Sequence, residues 1–215
     1  MRRPTSTLVT LALALLCALV LARPGTAAAE RLPVAIDRGA IHVRAEAGLD
    51  RAAARVADRA ERSLARIAAD LPDLPRPDVI EIRIVFDTAS LPAVAPPGMG
   101  APRWAAGVAY PSAGVIGLAL GRGGYRHDLD KTLDHELAHL ALGAAIPDAP
   151  RWLHEGFAWQ HSSDLDMGRL ETLAGMAWFG KTIPIEELEI GFPADEAPAS
   201  RAYAESYDFV GYLAH

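Results

Sequence analysis

Two histidines four positions apart, His135 and His139, enclose Glu136 in the run His135-Glu136-Leu137-Ala138-His139, and Glu155 follows sixteen positions later. On an α-helix, positions i and i+4 share a face, so both imidazoles can converge on one metal ion. Glu136 sits one step round from His135, within reach of a water on that ion. Two imidazole ligands, a carboxylate ligand and a separate carboxylate base are the parts of a hydrolytic zinc site. The competing reading is two solvated histidines on a helix surface. The other positions of the segment are apolar, which predicts a buried helix, and buried imidazoles require partners.

The third ligand must come from elsewhere in the chain. Metzincins would place it within the same run, but Leu142 and Ala145 hold the required Gly and His positions. The next segment, Trp152-Leu153-His154-Glu155-Gly156-Phe157-Ala158-Trp159, reads as a second helix on which Trp152, Glu155, Gly156 and Trp159 share a face. A carboxylate between two tryptophans on an inward face is costly unless neutralised, and a cation would neutralise it. Glu155 is therefore favoured over His154, about 100° away around the helix, and over His161, nearly two turns on. Gly156 would let the two helices approach closely.

The elements that position these residues follow from periodicity. A strand is predicted over 36–45 and an amphipathic helix over 49–69, ended by Pro72, Pro75 and Pro77. Residues 79–86 alternate, with Val79, Glu81, Arg83 and Val85 against Ile80, Ile82, Ile84 and Phe86, as a half-buried strand does. A Pro- and Gly-rich loop over 91–102 precedes a hairpin of 106–110 and 115–120. The motif helix spans 128–142, with Asp128 or Asp130 capping its start, Gly143 at its end, and Leu129, Leu133, Leu137 and Leu140 as core stripe. Helices at 151–162 and 170–179, a connector at 183–192 and a last helix at 199–215 complete the pattern. That helix carries Tyr203, Tyr207, Val210 and Gly211 along one side. It runs to His215 without a capping signal, which suggests a domain cut short.

The N-terminus reads differently. Arg2 and Arg3, an apolar run over 8–21 and the small residues Thr26-Ala27-Ala28-Ala29 form a secretory signal cut after Ala29. Its apolar run is shorter than the ~20 residues that span a bilayer, so an uncleaved membrane anchor is the lesser alternative. Residues 30–215 then form one domain in a secreted or periplasmic protein, bacterial by its Arg- and Ala-rich composition. Cleavage leaves 18 basic and 27 acidic side chains, a net charge of −9. Such a chain has no electrostatic reason to bind nucleic acid or an anionic membrane. The single cysteine, Cys17, lies within the signal. The mature domain thus has neither disulfides nor thiolate ligands, and any metal is held by His and carboxylate.

The motif, the run Pro150-Arg151-Trp152-Leu153-His154-Glu155-Gly156-Phe157-Ala158 and the segment Ala202-Tyr203-Ala204-Glu205-Ser206-Tyr207 together resemble the gluzincin-type peptidases of the "MA-like" metallopeptidase family over roughly the second half of the chain. The resemblance implies a zinc metallopeptidase acting on a peptide or protein, with His135, His139 and Glu155 as ligands and Glu136 as general base. It also implies a zincin-like α+β fold: a small mixed sheet packed on the motif helix, with further C-terminal helices completing the cleft. Tyr203 and Tyr207, one turn apart, are candidate donors to the oxyanion, with His161 a third; each tyrosine could equally be a core aromatic with a satisfied hydroxyl. A hairpin edge, around 108–110 or 115–118, could pair with an extended peptide. The rival function is a non-catalytic metal-binding or assembly module of the cell envelope. Such a scaffold has no use for Glu136, which argues for activity.

Overall fold

The computed structural model describes residues 31–162, 171, 173–176, 178, 182–191 and 196–214. Two strands, β1 (Val34–Arg38) and β2 (Ile41–Ala45), form an antiparallel hairpin. The sequence reading took them as one strand. Gly39 divides them by adopting a φ of 54°, which side-chain-bearing residues rarely take. β2 pairs in parallel with β3 (Ile80–Asp87), and a parallel pair needs a crossover, supplied by helix α1 (Asp50–Ala69). A helical turn, α2 (Leu91–Val94), leads to β4 (Gly107–Tyr110), β5 (Val115–Arg122) and the short β6 (Tyr125–Arg126). β5 runs parallel to β3 and antiparallel to β4 and β6. The sheet order is β1-β2-β3-β5-β4, so β4 lies at the edge and β5 in the interior. Only the first of the two proposed hairpin edges is therefore open.

One sheet face carries Ile80, Ile82, Ile84, Ile116 and Leu118, all at 0% exposure, and packs on α1 and on α3 (Leu129–Ala145). Burial of each such side chain stabilises the fold by about 1.5–3 kcal/mol. A smaller cluster of Leu32, Val85, Leu91, Val94 and Ala119 covers the other face. Helix α4 (Arg151–Ser162) packs on α3, and α6 (Glu196–Leu213) packs on α4. Residues of the segment 171–178 that are described are helical, and α5 (Ile185–Ile190) replaces the expected connector, with two acids, Glu186 and Glu187, in its first turn. This is the expected α+β architecture of a small mixed sheet on the motif helix. The signal segment lies outside the described residues.

Several local expectations change. Phe86, which the alternation placed with Ile80, Ile82 and Ile84 on the buried face, is 52% exposed. Asp87 caps a helical turn by accepting from the Ala89 amide at 2.9 Å, so the predicted loop begins as helix. Asp128 caps α3 by accepting from the amides of Asp130 and Lys131. α3 continues past Gly143 to Ala145, and Gly143 serves packing instead: a methyl there would stand 2.6 Å from Pro111 Cβ. Gly156 faces α6 rather than α3, because a methyl there would meet the Ser206 carbonyl and Val210 Cγ2.

Asp134 locks α3 to α1. Its carboxylate is 2% exposed and accepts from Arg59 Nε at 3.2 Å and Nη2 at 2.5 Å, Ser63 Oγ at 2.5 Å and Arg66 Nη2 at 3.1 Å. Arg66 also donates to the carbonyl of His161 at 3.0 Å and so reaches α4. Removing the carboxylate leaves Ser63 Oγ buried without this acceptor and two part-exposed guanidiniums that water can reach, and costs about 1.5–3 kcal/mol. Asp134→Ala is expected to lower the unfolding free energy by that amount in denaturant titration. Asp130→Ala, which loses only the more exposed pairs with Arg55 and Arg59, is expected to lose about 1 kcal/mol or less. Equal losses would show that Asp134 has no special role.

Candidate metal centre

Helix α3 turns one face toward α4, and that face carries His135 and His139. Their Nε2 atoms stand 3.1 Å apart. From α4, Glu155 Oε2 lies 3.8 Å from the first and 3.7 Å from the second. Tetrahedral ligand atoms about 2.0–2.1 Å from a zinc ion stand about 3.3 Å from one another. The trio fits one small cation, and its nitrogen and oxygen donors suit a divalent first-row metal. All three side chains are largely buried, so little water competes for the position.

α4 carries this site along one stripe, Arg151, Glu155, Trp159 and Ser162, at helical spacing. Trp159 packs edge-on against the His135 ring at 4.9 Å between centroids. Ser162 Oγ lies 3.4 Å from His135 Nδ1, where it can hold the ring so that Nε2 faces the cleft. The neighbouring stripe of α4, about 100° round the helix, faces α6: Trp152 meets Phe209 at 5.2 Å, and Gly156 meets Ser206. The four residues read from sequence as one face are thus divided between two neighbours, because α4 lies between two helices.

Glu136 occupies a separate environment. It is 7% exposed and lies against β4, where the Ala109 amide donates to its carboxylate. A methyl at Gly107 would stand 2.8 Å from Glu136 Cγ and 2.6 Å from Thr132 Cγ2, so only glycine allows this approach. Burial, aided by the nearby charge of Glu155, pushes the Glu136 carboxyl up to about 8, against the pull of the Ala109 amide. Burial raises Glu155 as well, opposed by Arg151. Burial and the neighbouring basic groups hold His139 well below its ordinary value, which keeps its imidazole neutral and able to ligate.

The remaining candidates separate in space. A cleft of about 650 Å³ is lined by His135, Glu136, His139, Glu155, Arg151, His154, Trp159 and Tyr203, with Pro102 and Trp104 at its mouth and Gly107 to Ala109 along one wall. Tyr203 is raised by burial and by Glu155, and its oxygen accepts from Arg151. Tyr207 is not among the cleft-lining residues; its carbonyl accepts from Gln160 Nε2 at 2.8 Å. The helix face buried against α4 is the small stripe Ala202, Ser206 and Val210, which leaves both tyrosines on the flank. His154 stands beside His139, 5.8 Å between ring centroids, outside the ligand trio. His161 points away, its Nε2 3.4 Å from Asp70 and its ring against Phe157. It is neither third ligand nor oxyanion donor. Gly107, Ala109, Arg151 and Ser162 were not singled out from sequence. Only Arg151 carried a signal, four residues ahead of Glu155.

The family model described as the peptidase MA superfamily matches residues 93–215, more than half of the chain. No curated protein matches.

The raised Glu136 carboxyl makes a linkage prediction for the metal-free protein. Glu136 is protonated in the fold up to about pH 8 but ionises near its ordinary 4.5 when unfolded. Its contribution to stability is therefore fully present below pH 4.5 and is lost as pH rises toward 8. Chelator-treated wild type is expected to lose stability across this range relative to chelator-treated Glu136→Gln, whose amide does not titrate. Parallel pH–stability curves for the two would show that Glu136 is not held in a desolvated site.

Proposed function

The chain belongs to the peptidase MA superfamily, and from that premise we propose that it is a zinc-dependent peptidase, exported from a bacterial cell, that hydrolyses peptide bonds with Glu136 as general base. Its matched part is a metallopeptidase-like domain. The observation that carries the proposal is the division of labour between two acids. Glu155 stands with the two imidazoles, whereas Glu136, on the same helix as those imidazoles, is held apart against β4.

In this reading His135, His139 and Glu155 would hold the zinc. Bound zinc supplies Lewis acidity, activating a water and polarising the scissile carbonyl. Glu136 takes the proton of the attacking water and delivers it to the leaving amine. A cation held by the three ligands would offset the charge of Glu155 beside Glu136 and favour its ionised form, the form that accepts a proton. Tyr203, on the cleft wall, donates to the oxyanion. The peptide or protein substrate lies extended along β4, the edge strand that forms that wall.

Residues 1–29 direct export in this proposal and are then removed. The mature chain is soluble and, at a net charge of −9, does not engage nucleic acid. Among the described residues no helix is long and apolar enough to cross a membrane. N-terminal sequencing of the exported protein is expected to begin at Glu30 in the soluble fraction. Full-length chain in the membrane fraction would favour the anchored alternative.

The central test pairs two conservative substitutions. Wild type is expected to carry one zinc per chain by elemental analysis. Glu136→Gln keeps that zinc and loses about 10²–10⁴ in turnover of a peptide substrate, because the amide cannot accept the proton. Glu155→Gln loses metal as well as rate, because a neutral amide is a poorer ligand. Zinc binding with Glu136→Gln as fast as wild type would overturn the mechanism and favour the non-catalytic module.

A further inference from the structure

Arg151 opens α4 directly after Pro150 and reaches two residues of the cleft. Its Nε lies 3.5 Å from Glu155 Oε1, one turn along the same helix. Its guanidinium also donates to the Tyr203 oxygen, which belongs to α6. The other oxygen of Glu155, Oε2, is the one facing His135 and His139. The two carboxylate oxygens are thus divided, one toward the imidazoles and one toward the guanidinium. Guanidinium is suited to such a position, because its planar fork presents several donors in fixed directions. The close packing of α4 on α6 at Gly156 and Ser206 fixes the distance that Arg151 must bridge.

Building on the peptidase reading above, we propose that Arg151 is a positioning residue that couples Glu155 to Tyr203. By occupying Oε1 it leaves Glu155 one oxygen for the metal, which preserves the open position for substrate. By occupying a lone pair of the Tyr203 oxygen it turns the hydroxyl proton away from itself and toward the cleft, where the carbonyl oxygen of a substrate develops charge. An ordinary exposed i,i+4 ion pair would do neither, and would contribute only a few tenths of a kcal/mol to the helix.

The two roles have separate readouts. The Arg151 side chain is 56% exposed, so its substitution leaves the core intact. Arg151→Gln is expected to weaken zinc binding about 10–100-fold in chelator competition. In the cobalt-substituted protein it is expected to lower the visible absorption, because Glu155 then offers both oxygens and the coordination number rises. With peptide substrate, kcat falls while KM changes little. Tyr203→Phe lowers kcat with no change in the cobalt spectrum. The double variant loses no more rate than the worse single variant, because the two residues act as a unit. Arg151→Lys, a point charge that cannot span both partners, falls between wild type and Arg151→Gln. A cobalt spectrum and zinc affinity unchanged by Arg151→Gln, or rate losses that multiply in the double variant, would overturn the coupling while leaving the peptidase reading intact. A wild-type protein that binds neither zinc nor cobalt would overturn both.

Discussion

Two carboxylates and two imidazoles are drawn out of water into one small volume, and the rest of the site answers to that constraint. Burial disfavours the charged form of each acid, and the charge of Glu155 adds to the penalty on Glu136. The two imidazole Nε2 atoms stand 3.1 Å apart, where they can share one proton or both turn a lone pair to a cation. A divalent cation among them would offset the penalty on both acids and use both lone pairs. The surrounding residues share what remains: Arg151 takes one oxygen of Glu155, and the Ala109 amide takes part of Glu136. Even the absent side chain of Gly107 belongs to this arrangement, since a strand residue with a Cβ would displace Glu136.

Helix α3 carries charge on both sides. Toward the cleft it presents the imidazoles of His135 and His139 and the carboxylate of Glu136. Toward α1 it presents Asp134, held by two arginines and a serine. Neither face could be buried as simple hydrocarbon. The apolar stripe of Leu129, Leu133, Leu137 and Leu140 runs between the two polar faces and anchors the helix on the sheet. The pairing of Asp134 with Arg59, Ser63 and Arg66 resists rotation of α3 about its own axis. That rotation is the motion that would carry His135 and Glu136 out of register with α4 and β4.

Much of this was legible where one physical rule dominates. The alternation of Ile80, Ile82 and Ile84 marks a strand with one face on helices, and the HExxH spacing marks a helix face. Reading failed where two neighbours compete for one element. α4 has helices on both sides, so Trp152 and Gly156 serve α6 while Glu155 and Trp159 serve α3, and a single face was the wrong model. Glycines misled for the same reason. Gly143 and Gly156 are close approaches between elements, not helix ends or links to α3, and no local pattern distinguishes those uses. Tyr203 and Tyr207 looked equivalent one turn apart. The small stripe of Ala202, Ser206 and Val210 turns both to the flank, and only Tyr203 lines the cleft. Gly107 and Ala109 lie far from Glu136 along the chain and meet it only because β4 is added to the sheet edge beside α3.

The arginine lock has a consequence for the order in which the molecule comes together. Arg59 and Asp134 are 75 residues apart, and Arg66 and the His161 carbonyl 95. The ligand helices α3 and α4, by contrast, are sequence neighbours joined by a short turn. Closing a long loop costs entropy before its contacts repay it. A chain emerging from the ribosome therefore releases Arg59, Ser63 and Arg66 well before the carboxylate that they will hold, and α1 must wait with three donors directed at nothing. The imidazoles and Glu155 can meet as soon as α4 follows α3, and the leucine stripe seats that pair of helices on the sheet, but the rotation of α3 about its own axis is fixed only when Asp134 reaches the waiting cluster. A rigid site therefore depends on an early helix docking onto a late one, on the side of α3 away from the cleft.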